Sequence, residues 1–220
     1  MKKRICAAVV AIAALATTAC GGEPAAAPPV TTTTTTTAPP TAAELDLRAK
    51  AAIAPPGAFD AQGGKVGSST PATDTDPGLE GEPVTFVCKT SELFADGMSV
   101  SRTRTWDGRV DLFQRVHATA DRPAATLVER VRTWAQQCTQ YRGADKIKLE
   151  LPLTKPQGVD DFYAYCETTE DPALIDWSCH AVMGRGTLIT VVVAFGPTQA
   201  AAEAQLTSAV PIFAETFAKA

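Results

Sequence analysis

Three residues of the types used in nucleophilic catalysis follow one another at every second position of the segment 176–180. Asp176, Ser178 and His180 would share one face of a β-strand, because side chains alternate between the two faces. Neighbours on one face stand about 6.6 Å apart, whereas a serine and its general base must approach within about 3 Å. No Gly-x-Ser-x-Gly motif surrounds Ser178. We therefore predict no catalytic residue here and no enzyme activity, and we expect His180 to be a half-buried strand residue.

A second group of residues points to ligand binding. Residues 98–106 alternate strictly, Asp107-Gly108 is typical of a two-residue hairpin loop, and residues 109–118 alternate again. Such a loop would place Arg104 opposite Asp111 and gather basic and aromatic side chains on one face of the sheet. The predicted ligand-binding residues are Arg102, Arg104, Trp106, Phe113, Arg115 and His117.

Arginine forks suit carboxylates or phosphates, and aromatic faces suit sugar rings, so this face predicts an anionic or sugar-containing ligand. The alternative is a solvated face with a single cross-strand pair between Arg104 and Asp111. A register slip of one residue would remove the pattern altogether.

The remaining polar residues predict neither a metal site nor a cofactor. Asp160 and Asp161 are adjacent, so on a strand their carboxylates would point to opposite faces, and we expect a solvated turn there. The chain has only two histidines and no Cys-x-x-Cys motif, which disfavours zinc and thiol redox chemistry.

The six cysteines divide by position. Cys6 lies in the N-terminal apolar run and Cys20 at its end, which leaves Cys88, Cys138, Cys166 and Cys179. An even remainder in an exported chain predicts two disulfides, for which three pairings are possible. We favour Cys88–Cys138, joining the first strand to the end of a helix, and Cys166–Cys179, joining neighbouring strands.

The N-terminus has the features of a lipoprotein signal peptide over residues 1–19. Three basic residues precede an apolar run at 5–16, which is too short to span a bilayer. Small residues before Cys20 and glycines after it resemble a bacterial lipobox, although Thr17 stands where the motif prefers leucine. We predict lipidation of Cys20 and a location on the outer face of the bacterial cytoplasmic membrane, facing the cell wall. The alternative is an ordinary signal cleaved near Ala19.

Composition shifts divide the rest of the chain. Residues 20–43 are rich in Pro, Ala and Thr and predict a tether, and residues 44–83 predict a short helix, ending before Pro55, followed by a flexible loop. The chain carries a net charge of −4, which excludes a strongly basic nucleic-acid binder.

Residues 84–220 predict an α+β domain. Helical periodicity marks segments beginning near Pro123 and Thr198, with Pro211 expected to kink or split the second helix. The predicted strands are residues 84–88, 98–106, 109–118, 146–151, 159–166, 175–183 and 188–195. Short connections favour a single twisted antiparallel sheet of about seven strands with two helices on one face and a possible open cleft on the other.

The spacing of several residues resembles the extracellular sensor-domain family typified by mycobacterial Ser/Thr protein kinase H. The similar features are the four cysteines, the Trp-Ala-Gln-Gln-Cys run at 134–138, the Trp-Ser-Cys run at 177–179, and the apolar run at 191–195 before an Ala-rich last helix. The resemblance implies a twisted antiparallel sheet with two helices, an open cleft and two disulfides, in a protein that senses an extracytoplasmic ligand. This chain has no kinase domain, so any signal would pass through a partner.

Three functions remain open on this evidence. The first is a lipid-anchored, non-enzymatic sensor or ligand-binding domain for a cell-wall ligand, and it predicts a concave cleft with converging Arg or aromatic groups. The second is a scaffold that docks to an envelope protein, and it predicts a flat apolar patch. The third is an envelope hydrolase, and it predicts a titratable pair within hydrogen-bond reach.

Overall fold

The computed structural model describes residues 38–67, 99–141, 143–171 and 176–220. The chain divides into two units, Met1–Thr37 and Ala38–Ala220, and the described residues belong to the second. The predicted signal peptide, the lipidation of Cys20, the strand at 84–88 and the pairing of Cys88 therefore lie outside the described residues.

The domain is built on one antiparallel sheet, so the predicted α+β class is confirmed. The described residues contribute eight strands to it: β1 Gly64–Val66, β2 Ser99–Gly108, β3 Leu112–Thr119, β4 Gln140–Tyr141, β5 Ala144–Glu150, β6 Asp161–Thr169, β7 Trp177–Arg185 and β8 Leu188–Gly196. They lie in the order β1-β2-β3-β8-β7-β6-β5-β4. Strands β1 and β4 were not predicted, because two or three residues carry too little alternation to be recognised.

In the described segments three α-helices cover this sheet, where two were predicted. They are α1 Ala42–Ala52, α2 Ala124–Gln137 and α3 Gln199–Phe217, and a 3₁₀ helix spans Pro56–Gln62. Helix α3 continues through Pro211 as one element, so the predicted split does not occur.

The prediction that both helices cover one face is wrong. Helices α1 and α3 pack on one face with Leu188 and Val192, whereas α2 packs on the other with Val182 and Val191. We call these the α3 face and the α2 face. The physical reason lies in β7 and β8, which are apolar on both sides, so each side needs a covering layer.

Helix α1 belongs to the domain, although the segment 44–83 was predicted to lie outside it. A capping box starts the helix: the backbone N–H of Thr41 donates to Glu44 Oε2 at 2.7 Å, and the N–H of Glu44 donates to Thr41 Oγ1 at 3.3 Å. Leu45, Ala49 and Ala52 are fully buried in the core beneath it. The folded unit therefore begins well before residue 84.

The predicted β2–β3 register is wrong by three residues. Arg104 lies opposite Gln114, not opposite Asp111. Asp107 and Gly108 do not form the turn, because both extend β2 and pair with β1. Gly108 has a φ of +112°, and a Cβ there would stand 2.8 Å from the carbonyl oxygen of Gly63, so this glycine permits the close approach of β1.

The Cys166–Cys179 disulfide is confirmed. The two residues are directly opposite one another in the β6–β7 ladder, with their Cα atoms 3.9 Å apart. It is the one disulfide with both ends among the described residues. Cys138 is also disulfide-bonded, and because Cys88 lies outside the described residues, the Cys88–Cys138 pairing stays a prediction.

Candidate functional site

The six predicted ligand-binding residues do not form one surface. The three-residue shift in register places Arg102, Arg104 and Trp106 on the α3 face, where they hold α1 and the segment after it. Arg102 Nε donates to Asp46 Oδ1 at 2.7 Å, Arg104 donates to the carbonyl of Ala54, and Trp106 Nε1 donates to the carbonyl of Pro56 at 2.9 Å. These residues attach the N-terminal helix to the sheet.

The other three predicted residues lie on the opposite, α2 face. The Arg115 guanidinium stands 5.3 Å from the centre of the Phe113 ring, and Arg115 Nε donates to Thr103 Oγ1 at 3.4 Å. His117 is almost fully buried. Burial, together with the charge of Arg115, lowers the pKa of His117 to about 3, so its ring is neutral. The six predicted residues therefore lie on two opposite faces of the sheet, and they do not form the single ligand-binding surface that was expected.

A polar cluster, of which the sequence singled out only Ser178 and His180, lies on the α2 face of β5, β6 and β7. Lys146 Nζ stands 2.6 Å from Glu167 Oε1, and both side chains are less than a tenth exposed. His180 Nε2 lies 3.0 Å from Ser178 Oγ and 3.7 Å from Glu167 Oε1, and its ring stacks on Tyr165 with centroids 4.7 Å apart. Only the β5–β6–β7 register brings Lys146 and Glu167 beside His180, so no local pattern could have identified these two residues.

The expectation that spacing keeps Ser178 from His180 is wrong, because the side chains lean together across the gap between their Cα atoms. The arrangement still differs from a catalytic triad. The same nitrogen, Nε2, faces both the serine and the carboxylate, whereas a triad histidine uses one nitrogen for each. Burial lowers the pKa of His180 to about 4, despite the opposing effect of Glu167, and such a ring is a weak general base.

Asp160 and Asp161 have structural partners. Asp160 Oδ2 accepts from the backbone N–H of Gly186 at 2.7 Å and so supports the β7–β8 turn. Asp161 Oδ1 lies 3.2 Å from Arg132 on α2. Within the part of the chain that the structure describes, no group of three or more His, Cys, Asp or Glu residues could hold a metal ion.

An open groove of about 810 Å³ lies between α3 and the loop at 151–158 that follows β5. Its lining is mainly apolar: Pro152, Leu153 and Pro156 come from the loop, and Val210, Pro211 and Ala214 come from the helix. The loop approaches the end of α3 closely at Gly158, where a Cβ would stand 2.8 Å from that of Ala218. This size lies within the range of small-molecule sites.

The polar groups of the groove come from the backbone and from exposed side chains. Pro211 has no N–H, so the carbonyl of Thr207, four residues earlier, loses its helical hydrogen bond, and both residues line the groove. Lys155 Nζ donates to the carbonyl of Asp160 at 3.0 Å, and Lys219 pairs with Glu215 at 2.8 Å. The described residues that line the groove include neither the arginines nor the aromatic rings expected of an anion or sugar site.

None of the helices in the described segments is both long and apolar enough to cross a bilayer.

No protein-family model matches this chain, and no curated protein sequence is similar to it. Among solved structures, the extracellular domain of PknH from Mycobacterium tuberculosis is similar, with 12% sequence identity and a TM-score of 0.47. The likeness covers 81% of this chain and 97% of that chain. At this level of identity the likeness concerns the fold alone and does not show membership of the sensor-domain family.

Proposed function

We propose that this chain is a lipid-anchored, extracytoplasmic ligand-binding domain that carries out no reaction and needs no cofactor. The observation that carries the proposal is the groove between the loop at 151–158 and helix α3. Its volume and mainly apolar lining suit a small molecule, whereas a docking scaffold would more typically present a flat patch.

The proposed location rests on two separate features, one in the N-terminal segment and one in the sheet. The basic and apolar residues before Cys20 have the order of a lipoprotein signal. The Cys166–Cys179 disulfide is of a kind that persists in oxidising compartments. Descent from the sensor-domain family is part of the same proposal, and its support is the spacing of Trp134, Cys138, Trp177 and Cys179.

The groove favours a ligand with an apolar body and a polar end. Proline, leucine, valine and alanine residues line it, so a ligand that buries apolar surface there is stabilised by the hydrophobic effect. The polar residues that such a ligand would meet are Thr154, Lys155, Gln157, Thr207, Glu215 and Lys219. The ligand proposed from the groove therefore differs from the anionic or sugar-containing ligand that was expected from the β2–β3 face.

A non-enzymatic role is supported by the state of the one His–Ser–carboxylate cluster among the described residues. Glu167 is already paired with Lys146, and His180 is neutral and buried. A base with a pKa of about 4 removes a serine proton poorly near neutral pH.

The test is a thermal unfolding screen of the exported chain, produced by an oxidising route, against envelope extracts, a long-chain fatty acid, a muropeptide and inorganic phosphate. A ligand at 100 times its Kd adds about 2.7 kcal/mol to the free energy of unfolding, which corresponds to a rise of about 5–10 °C in Tm.

The matched variants are neighbours on α3. Thr207 and Ser208 are both exposed, and each hydroxyl bonds a carbonyl of its own helix, but only Thr207 lines the groove. We expect Thr207→Trp to fill the groove and abolish the rise in Tm, and Ser208→Trp to retain it. A rise that survives Thr207→Trp would place the ligand elsewhere. No rise with any probe or extract would contradict the ligand-binding proposal and favour a protein partner.

A further inference from the structure

We propose that the groove between α3 and the loop at 151–158 selects an amphiphile whose polar end donates a hydrogen bond, such as an alcohol or an amine, over one that ends in a carboxylate or a phosphate. The proposal rests on the proposed function, because it names the chemical class of the ligand for the same groove. It is carried by the balance of hydrogen-bond donors and acceptors among the described residues that line the groove.

The backbone that lines the groove is poor in hydrogen-bond donors. Three of the described lining residues are prolines, namely Pro152, Pro156 and Pro211, and a proline has a carbonyl but no N–H. At each of these positions the backbone can offer a ligand an acceptor but no donor. A ligand that must accept hydrogen bonds is therefore poorly served by this lining.

Pro211 also leaves an acceptor within α3. In a helix each carbonyl points along the axis towards the N–H four residues later. Thr207 and Pro211 occupy two such positions, and both line the groove. Because Pro211 has no N–H to donate, the carbonyl of Thr207 keeps lone pairs for another donor at the groove surface. A hydroxyl or ammonium group suits this carbonyl, whereas a carboxylate or phosphate would place two acceptors against each other.

The end of α3 has the same polarity. Glu215 in the last turn and the C-cap residue Ala218 both line the groove. The carbonyls at the end of a helix carry a partial negative charge of roughly half an electron, which favours cations and donors nearby and disfavours anions. The helix end and the Thr207 carbonyl therefore favour the same kind of polar group.

The side-chain donors of the groove already have acceptors within the protein. The Thr207 hydroxyl donates its only proton to a carbonyl of the preceding helical turn at 2.7 Å. Lys155 Nζ donates to a backbone carbonyl at 3.0 Å, and Lys219 Nζ donates to a carboxylate of its own helix at 2.8 Å. Both lysines are exposed, so water and dissolved ions weaken their attraction for an anion. Thr154 and Gln157 can donate and accept equally, so they favour neither class of ligand.

The first experiment compares four ligands that share one apolar body: octan-1-ol, octylamine, octanoate and octyl phosphate. NMR chemical-shift titration of the exported chain near neutral pH gives the Kd of each ligand, and the shifted amides locate it. We expect the alcohol and the amine to bind about tenfold more tightly than the two anions, a difference of the size that one hydrogen bond contributes.

The second experiment tests the origin of this preference with Pro211→Ala. Alanine supplies the N–H that closes the helical hydrogen bond to the Thr207 carbonyl, so we expect the variant to unfold at a higher temperature and yet to lose the preference for donors. The measured quantity is the ratio of the octanoate Kd to the octan-1-ol Kd, which we expect to fall at least threefold. Taking this ratio cancels the apolar contacts that the missing proline ring removes from both ligands.

Leu153→Ala is the matched control, because it removes apolar lining without changing any backbone donor. We expect it to weaken all four ligands by a similar factor and to retain the wild-type ratio. Circular dichroism confirms that each variant is folded. If Pro211→Ala does not fold, the order of the four ligands on the wild-type chain still decides the proposal.

Three results would overturn the proposed ligand class and leave the ligand-binding function in place: four similar Kd values or tighter binding of the anions, an unchanged ratio in Pro211→Ala, or no binding of these four ligands by a chain whose Tm an envelope extract raises. No binding of the four ligands, combined with no rise in Tm in any extract, would contradict the ligand-binding function as well.

Discussion

At the scale of single residues, burial decides what the two histidines do. His117 and His180 are each less than a twentieth exposed, and each is kept neutral because burial lowers its pKa. Neither ring can act as the charged or basic group that its residue type suggests. Their protonation instead affects the free energy of unfolding.

The pKa values predict a loss of stability in mild acid. The folded-state pKa values of about 4 for His180 and about 3 for His117 lie below the ordinary value of 6.5. As the pH falls below 6.5, the unfolded chain takes up protons that the folded chain does not, so folding weakens until the folded pKa is reached. Each histidine contributes a slope of about 1.4 kcal/mol per pH unit.

We expect denaturant unfolding between pH 6.5 and 5 to show the sum of both slopes, about 2 kcal/mol lost per histidine over this interval. His180→Gln keeps a polar group beside Ser178 but removes one titrating site, so its profile is expected to lose about half of the slope. An unchanged slope in this variant would mean that His180 titrates equally in the folded and unfolded chains.

At the scale of elements, Gly108 is where strand β2 meets strand β1. Two features of this position require glycine. Its φ of +112° disfavours other residues, and a Cβ there would lie too close to the Gly63 carbonyl. Gly143 shares only the first requirement, because its φ is +85° but a Cβ added there would meet no atom within 4 Å. The two glycines therefore separate the effects of conformation and contact.

We expect Gly143→Ala to lower the free energy of unfolding by about 1–2 kcal/mol, because alanine is strained at positive φ. Gly108→Ala is expected to cost more than this, because its Cβ also displaces β1 from β2. Denaturant unfolding of both variants beside the wild-type chain measures the difference. Equal losses would mean that β1 moves aside without cost.

At the scale of the whole molecule, helix α1 makes the segment before residue 55 part of the domain. Two leucines of this helix differ only in surroundings: Leu45 is fully buried and Leu47 is 66% exposed. We expect Leu45→Ala to lower the free energy of unfolding by about 2–5 kcal/mol, and Leu47→Ala to change it by less than about 0.5 kcal/mol. Similar small effects in both variants would mean that α1 is dispensable to the fold.

The strands with long alternating or continuously apolar runs were predictable from the sequence, as were the helices with a clear stripe. Residues 188–195 are apolar on both sides and were expected to form a central strand, which β8 is. The antiparallel class followed from short connections, and the Cys166–Cys179 disulfide was favoured because its residues lie on neighbouring predicted strands. These properties depend on residues close in sequence, so local sequence patterns are enough to predict them.

The tertiary structure decided the rest. The turn expected at Asp107-Gly108 was replaced by pairing with β1, which moved the β2–β3 register by three residues and divided the expected arginine face between two sides of the sheet. The Lys146–Glu167–His180 cluster and the groove beside Pro211 both depend on which strands and helices become neighbours. Pairing between distant segments is determined by the packing of the whole core, and no window of sequence contains that information.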